Sequence, residues 1–175
     1  MKNTIKRIAH KTIWLTSTAI FCAGSSLALA GSTADGLVMS VVEDRAYGEL
    51  VQKGAYTKAI SRINDVDSRF PYPAHTNLCV AHTLMGDYVD AAPHCDEAVE
   101  LAQKAAEKGK RRDRDYPAEL AMAYSNRGVQ RARSGDLAGA EADFQAAMNT
   151  DSGLSIMEWN LVKFGQIQAD NLASR

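Results

Sequence analysis

The chain has 175 residues, 20 basic and 21 acidic, a net charge of −1 and 46% hydrophobic residues. That length suits one domain with a real core, and the acidic excess, which grows to −5 once residues 1–30 are removed, argues against nucleic acid or an anionic membrane as the main partner.

Residues 1–30 read as a secretory signal peptide. Lys2, Lys6, Arg7 and Lys11 form a basic start, residues 13–29 are mostly apolar, and Ala28-Leu29-Ala30 is a small-x-small site with cleavage expected after Ala30. Thr16, Ser17, Thr18, Ser25 and Ser26 interrupt a core already short for a retained membrane anchor. Ala19-Ile20-Phe21 lacks the small residue expected before a lipidated Cys22. The expected location is periplasmic or secreted, with no stable membrane insertion after cleavage. Removing residues 1–30 leaves 16 basic residues against the same 21 acidic ones, a mature charge of −5.

The mature chain divides into a flexible start at 31–39 and a helical repeat domain at 40–175. Val38, Val41, Val42 and Leu50 predict a first helix over 37–51, and its partner over 57–69 is ended by Pro71 and Pro73. A second pair is predicted at 76–85 and 89–108, with Pro93 requiring either a late start capped by Asp90 or a kink. Lys108, Lys110, Arg111, Arg112 and Arg114, interleaved with Asp113 and Asp115, read as a solvated loop. The third pair falls at 118–133 and 137–150. Ile156, Met157, Trp159, Leu161, Phe164 and Ile167 predict one more helix, a lid over the end of the stack in which Trp159 could instead anchor a partner.

One pattern recurs through these pairs. The copies read Gly54, Tyr56, Ala59, Ile63, Val66; then Gly86, Tyr88, Ala91, Cys95, Ala98; then Gly135, Leu137, Ala140, Phe144, Ala147. Steps of four and three keep the apolar residues on one helical face, and the Gly ends the helix before it. Two helices around a tight turn cannot bury that face alone, so the copies must stack.

The pattern resembles the tetratricopeptide repeat. With the turn Gly as position 15, the family's small residues at 8, 20 and 27 fall on Gly128, Ala140 and Ala147 in the third copy and on Cys79, Ala91 and Ala98 in the second. Tyr124 and Phe144 fill the aromatic positions 4 and 24, and Pro71 matches the closing Pro of the first copy, whose position 8 is Tyr47. The resemblance covers about residues 40–154. It implies an all-α solenoid of three helix-turn-helix repeats at about 40–73, 72–105 and 121–154, with a capping helix at about 154–170.

No Gly-rich phosphate loop, Gly-x-Ser-x-Gly elbow or His-Glu-x-x-His pair is present, so no enzyme and no cofactor is expected. Two constellations stand out. Asn77, Asn126 and Asn160 share position 6 of successive first helices, with Arg45 in the equivalent place of the first copy. The resemblance implies that this position faces a concave groove, where an amide can donate to and accept from an extended protein or peptide segment. The three Asn are therefore expected to be solvent-accessible and to tolerate Ala.

The second constellation gathers every Cys and His of the mature chain: His75, Cys79 and His82 on one helix face, His94 and Cys95 on the partner helix. Buried free thiols, a Cys79–Cys95 disulfide, and a metal site of His75, Cys79, His82 and Cys95 all fit the residue types. A disulfide there would contribute about 2–3 kcal/mol. The function expected is an exported protein- or peptide-binding scaffold, with a redox- or metal-responsive protein built on the Cys/His cluster as the alternative.

Overall fold

Gly54, Gly86 and Gly135 all take positive φ, at 73°, 86° and 92°, and each makes the same turn. In the computed structural model, which describes residues 27–30, 35–43, 47–64, 71–109 and 115–174, the amide of each Gly bonds to the carbonyl three residues back. The next amide reaches five residues back, giving Ala55 N–H to Leu50, Asp87 N–H to His82 and Asp136 N–H to Arg131, each at 2.9 Å. This left-handed cap satisfies the last carbonyls of one helix and starts the next.

The turns join α1 (Gly48–Gln52) to α2 (Tyr56–Asn64), α3 (Pro71–Met85) to α4 (Tyr88–Lys108), and α5 (Tyr116–Ser134) to α6 (Leu137–Thr150). A last helix, α7 (Ser155–Ala173), packs on α5 and α6. The chain is therefore mostly helical, with seven helices among the described residues. Besides these pairs, α2 packs on α3 and α4 on α5, so neighbours in sequence are neighbours in space. Ala59, Ala91 and Ala140 are all 0% exposed, as expected of the residue at a close helix approach. Gly128 marks a closer one: a Cβ there would lie 2.8 Å from the Phe144 ring. Phe144 in turn meets Phe164 of α7 with ring centroids 5.2 Å apart.

Between α4, α5 and α6 an ion-pair network adds to this packing. Arg127 donates Nε to Asp143 Oδ2 at 2.9 Å and Nη2 to Oδ1 at 2.7 Å, while its Nη1 reaches Asp96 at 3.0 Å. Burial pulls the Arg127 pKa down, but its bonds to Asp143 and Asp96 outweigh this and raise it. Arg131 adds a 3.0 Å bond to Asp143.

Three expectations are corrected. The first helix does not run over 37–51. Met39–Val42 is a β-strand, β2, antiparallel to β1 (Leu27–Ala30), and helix begins only at Gly48. Nor do residues 35–39 belong to a flexible start: Leu37 and Met39 are 1% and 0% exposed, within the main core cluster, while 31–34 lie outside the described residues. The side chains of Leu37, Met39 and Val41 enter that core with the period of two proper to a strand, and the β-branched Val38, Val41 and Val42 suit extended backbone.

Pro71 and Pro73 open α3, where missing amides cost nothing, while the end expected for the preceding helix, over 65–69, lies outside the described residues. At Pro93 the helix does not start late behind an Asp90 cap: α4 begins at Tyr88 and runs through it. The carbonyl that Pro93 leaves unserved belongs to Val89, a residue 88% exposed, so water can serve it. Val66, the basic residues 110–114 and the bulk of the proposed signal peptide, 1–26, lie outside the described residues.

The Gly128–Phe144 approach predicts that Gly128→Ala forces the ring aside and costs roughly 1–3 kcal/mol, read as a lowered midpoint in urea unfolding. Gly165→Ala, where an added Cβ meets nothing within 4 Å, is the control and should unfold no more easily than the parent.

Candidate functional site

The asparagine row lies on one surface, and that surface is already covered. Asn77 on α3, Asn126 on α5 and Asn160 on α7 are 0%, 2% and 0% exposed. Each amide makes the same pair of bonds to one residue of the extended segment at 37–42. Asn77 accepts from Val42 N–H at 3.1 Å and donates to Val42 C=O at 2.9 Å. Asn126 accepts from and donates to Ser40, both at 2.8 Å. Asn160 accepts from Val38 N–H at 2.9 Å and donates to Val38 C=O at 2.7 Å, with a further bond to Ser125 Oγ at 2.9 Å.

Alternate helices, α3, α5 and α7, thus take every second residue of the extended segment, in reverse order. The primary amide of Asn offers a donor and an acceptor side by side, as a neighbouring strand would. The even-numbered backbone groups are satisfied by side chains while Leu37, Met39 and Val41 fill the core.

Flanking contacts extend the grip. Arg133 donates Nε to Asp35 at 2.8 Å and Nη2 to the Leu37 carbonyl at 3.3 Å. Trp159 donates its indole N–H to the Gly36 carbonyl at 2.8 Å and carries Lys163 over its ring at 5.1 Å. Trp159, although half exposed, is therefore bonded to the chain's own N-terminal segment.

These contacts correct the expectation of accessible, replaceable asparagines. The chemistry foreseen for them, a donor–acceptor pair against an extended backbone, is present, but the backbone is the chain's own. Arg45 lies outside the described residues. Trp159, weighed as a partner anchor, holds the chain's own segment instead. Arg133 was not foreseen as part of this site; a helix-facing Arg carries no signal until the strand it holds is known.

The Cys/His cluster sits at the α3–α4 seam. The sulfurs of Cys79 and Cys95 are bonded, with Cα atoms 4.8 Å apart, and both residues are buried. As a disulfide they offer no thiolate to a metal, which removes two of the four ligands of the set His75, Cys79, His82 and Cys95. Among the described residues no cluster arranged to hold a metal occurs. The histidines stack beside the disulfide: His75 Nδ1 lies 3.1 Å from His94 Nδ1, and the His82 and His94 rings stack at 5.8 Å. Asp87 stands 3.9 Å from His82. Burial first, and then the neighbouring charges of His75 and His82, lower the His94 pKa from its ordinary 6.5, with Asp90 opposing.

Comparison with known proteins finds no matching family model, no matching curated protein and no matching solved structure.

Two predictions rest on this geometry. Asn126→Ala orphans the N–H and C=O of Ser40 and should cost roughly 1–3 kcal/mol for each group, read in chemical unfolding, whereas Asn171→Ala on the exposed end of α7 should cost nothing measurable. Stability unchanged in Asn126→Ala would remove the amide ladder. The second concerns pH. Because the folded pKa of His94 lies below its ordinary 6.5, the unfolded chain binds more protons beneath that pH. The contribution is complete above about pH 6.5 and is lost as pH falls through and below it. Thermal unfolding at pH 7.5 and 5.5 should show a smaller drop for His94→Gln than for the parent.

Proposed function

We propose that this chain is an exported helical-repeat scaffold, of the tetratricopeptide-like solenoid kind, that mediates protein–protein interaction and is not an enzyme. The observation that carries the reading is the amide ladder. Three asparagines on successive first helices hold an extended backbone through its peptide groups alone, a mode that recognises extension rather than sequence. The recurring Gly-turn units and their buried Ala support the solenoid reading, and residues 1–30, with their basic start and Ala28-Leu29-Ala30 site, support export. Among the described residues no helix is long and apolar enough to cross a membrane.

The groove carries the chain's own segment 35–42, so a partner meets a composite surface of helices and strand rather than an empty trough. A redox- or metal-responsive role for the Cys/His cluster is weaker on this geometry, because the disulfide is buried and holds both sulfurs.

Expression of the full chain in its native envelope, with cross-linking in place and mass spectrometry of the product, tests the reading. The expected result is a protein beginning at Gly31 and joined reproducibly to a specific protein through residues of the strand–helix surface. Intact protein retaining residues 1–30, or a processed protein with no cross-linked partner, would contradict it.

A further inference from the structure

The two edges of β2 are served by different kinds of partner. Val38, Ser40 and Val42 turn their N–H and C=O groups to the asparagine amides. Backbone groups alternate in direction along a strand, so those of Met39 and Val41 turn the other way, toward β1. The register pairs Ala30 with Met39 and Ala28 with Val41, which are the hydrogen-bonding pairs of this antiparallel ladder; Leu29 with Ser40 and Leu27 with Val42 are the non-bonding ones. β1 also packs on α1, whose first residue, Gly48, comes so near the end of β2 that a Cβ there would lie 2.3 Å from the Val42 carbonyl oxygen. β1 thus lies along β2 with α1 packed against both strands, and the place it fills is a strand-wide slot.

The occupant of that slot is Leu-Ala-Leu-Ala, the last four residues before the expected cleavage point. Cleavage after Ala30 would remove all four and leave the outward N–H and C=O groups of Met39 and Val41 unpaired. Both residues are 0% exposed with the slot filled, and buried backbone groups without a partner are costly. An open strand edge of this kind is a template for another strand.

We propose that the outer edge of β2 is the docking site of the mature protein, and that it takes an extended, antiparallel strand of small and aliphatic residues from a partner protein, in the place β1 holds. This deepens the proposed function and rests on the export reading. Specificity would come from the packing of α1 against the docked strand, and affinity from the backbone ladder.

The test uses protein processed and isolated from the host envelope, its N-terminus sequenced, with the peptide Ser-Leu-Ala-Leu-Ala-Gly as probe. Processed protein should bind it saturably, and full chain retaining residues 1–30 should not, because its own β1 fills the slot. N-methylation at the alanines corresponding to Ala28 and Ala30 should weaken binding about tenfold or more, the loss expected for a backbone bond at a desolvated edge. N-methylation at the two leucines should leave binding within about threefold. Processed protein that fails to bind, or that binds all four methylated peptides alike, overturns the docking site and leaves export standing. Protein that retains β1 in the envelope overturns both. A processed protein that is a dimer dissociated by the peptide assigns the slot to a second copy and overturns the partner proposed.

Discussion

The fold depends on one constraint: a buried extended segment must have its peptide groups satisfied on the side where helices, not strands, stand. Helices expose no free backbone amides along their flanks, so a strand laid across them would ordinarily lose its hydrogen bonds on that edge. Asn77, Asn126 and Asn160 remove the difficulty by presenting, once per helix, the donor and acceptor that a neighbouring strand would offer. Gln would carry the same amide on a longer, less ordered side chain, and Asp would repel the strand carbonyl. Six hydrogen bonds to three residues let Leu37, Met39 and Val41 enter the core without stranding their neighbours.

This arrangement couples elements far apart in sequence. Residues 35–42 touch α3, α5 and α7 in turn, so the segment acts as a tie along the stack as well as part of its core. A stack held only by neighbouring contacts would tend to open unit by unit. Here the loss of any one rung leaves a buried N–H and C=O of the segment without that partner. The Cys79–Cys95 bond closes the α3–α4 pair and the Arg127–Asp143–Asp96 network joins α4, α5 and α6, while the extended segment joins α3, α5 and α7.

Much of the helical part was legible in the sequence because its signals are local. The three turn glycines need positive φ, and the alanines that follow need close approach; both requirements survive in any context. α6 was placed to the residue at both ends, since Asp136 caps it locally by accepting from Gly139 N–H. The segment at 37–42 misled because its apolar residues satisfy two periods at once: Val38, Val41 and Val42 fit a helix, while Leu37, Met39 and Val41 fit a strand. What decides between them is the asparagine row, 35 to 122 residues away. The row itself was visible, and so was its affinity for extended backbone. That its ligand lay in the same chain was not, because no local pattern records which strand a side-chain amide will hold.

Backbone hydrogen exchange in the folded protein tests this account most directly. The amides of Val38, Ser40 and Val42, bonded to Asn160, Asn126 and Asn77, should exchange as slowly as the buried amides of α3 and α5, since freeing them requires opening the stack. Exchange of these three amides at the rate of an unstructured peptide, while α3 and α5 stay protected, would show that the segment is not held by the ladder and would contradict the account.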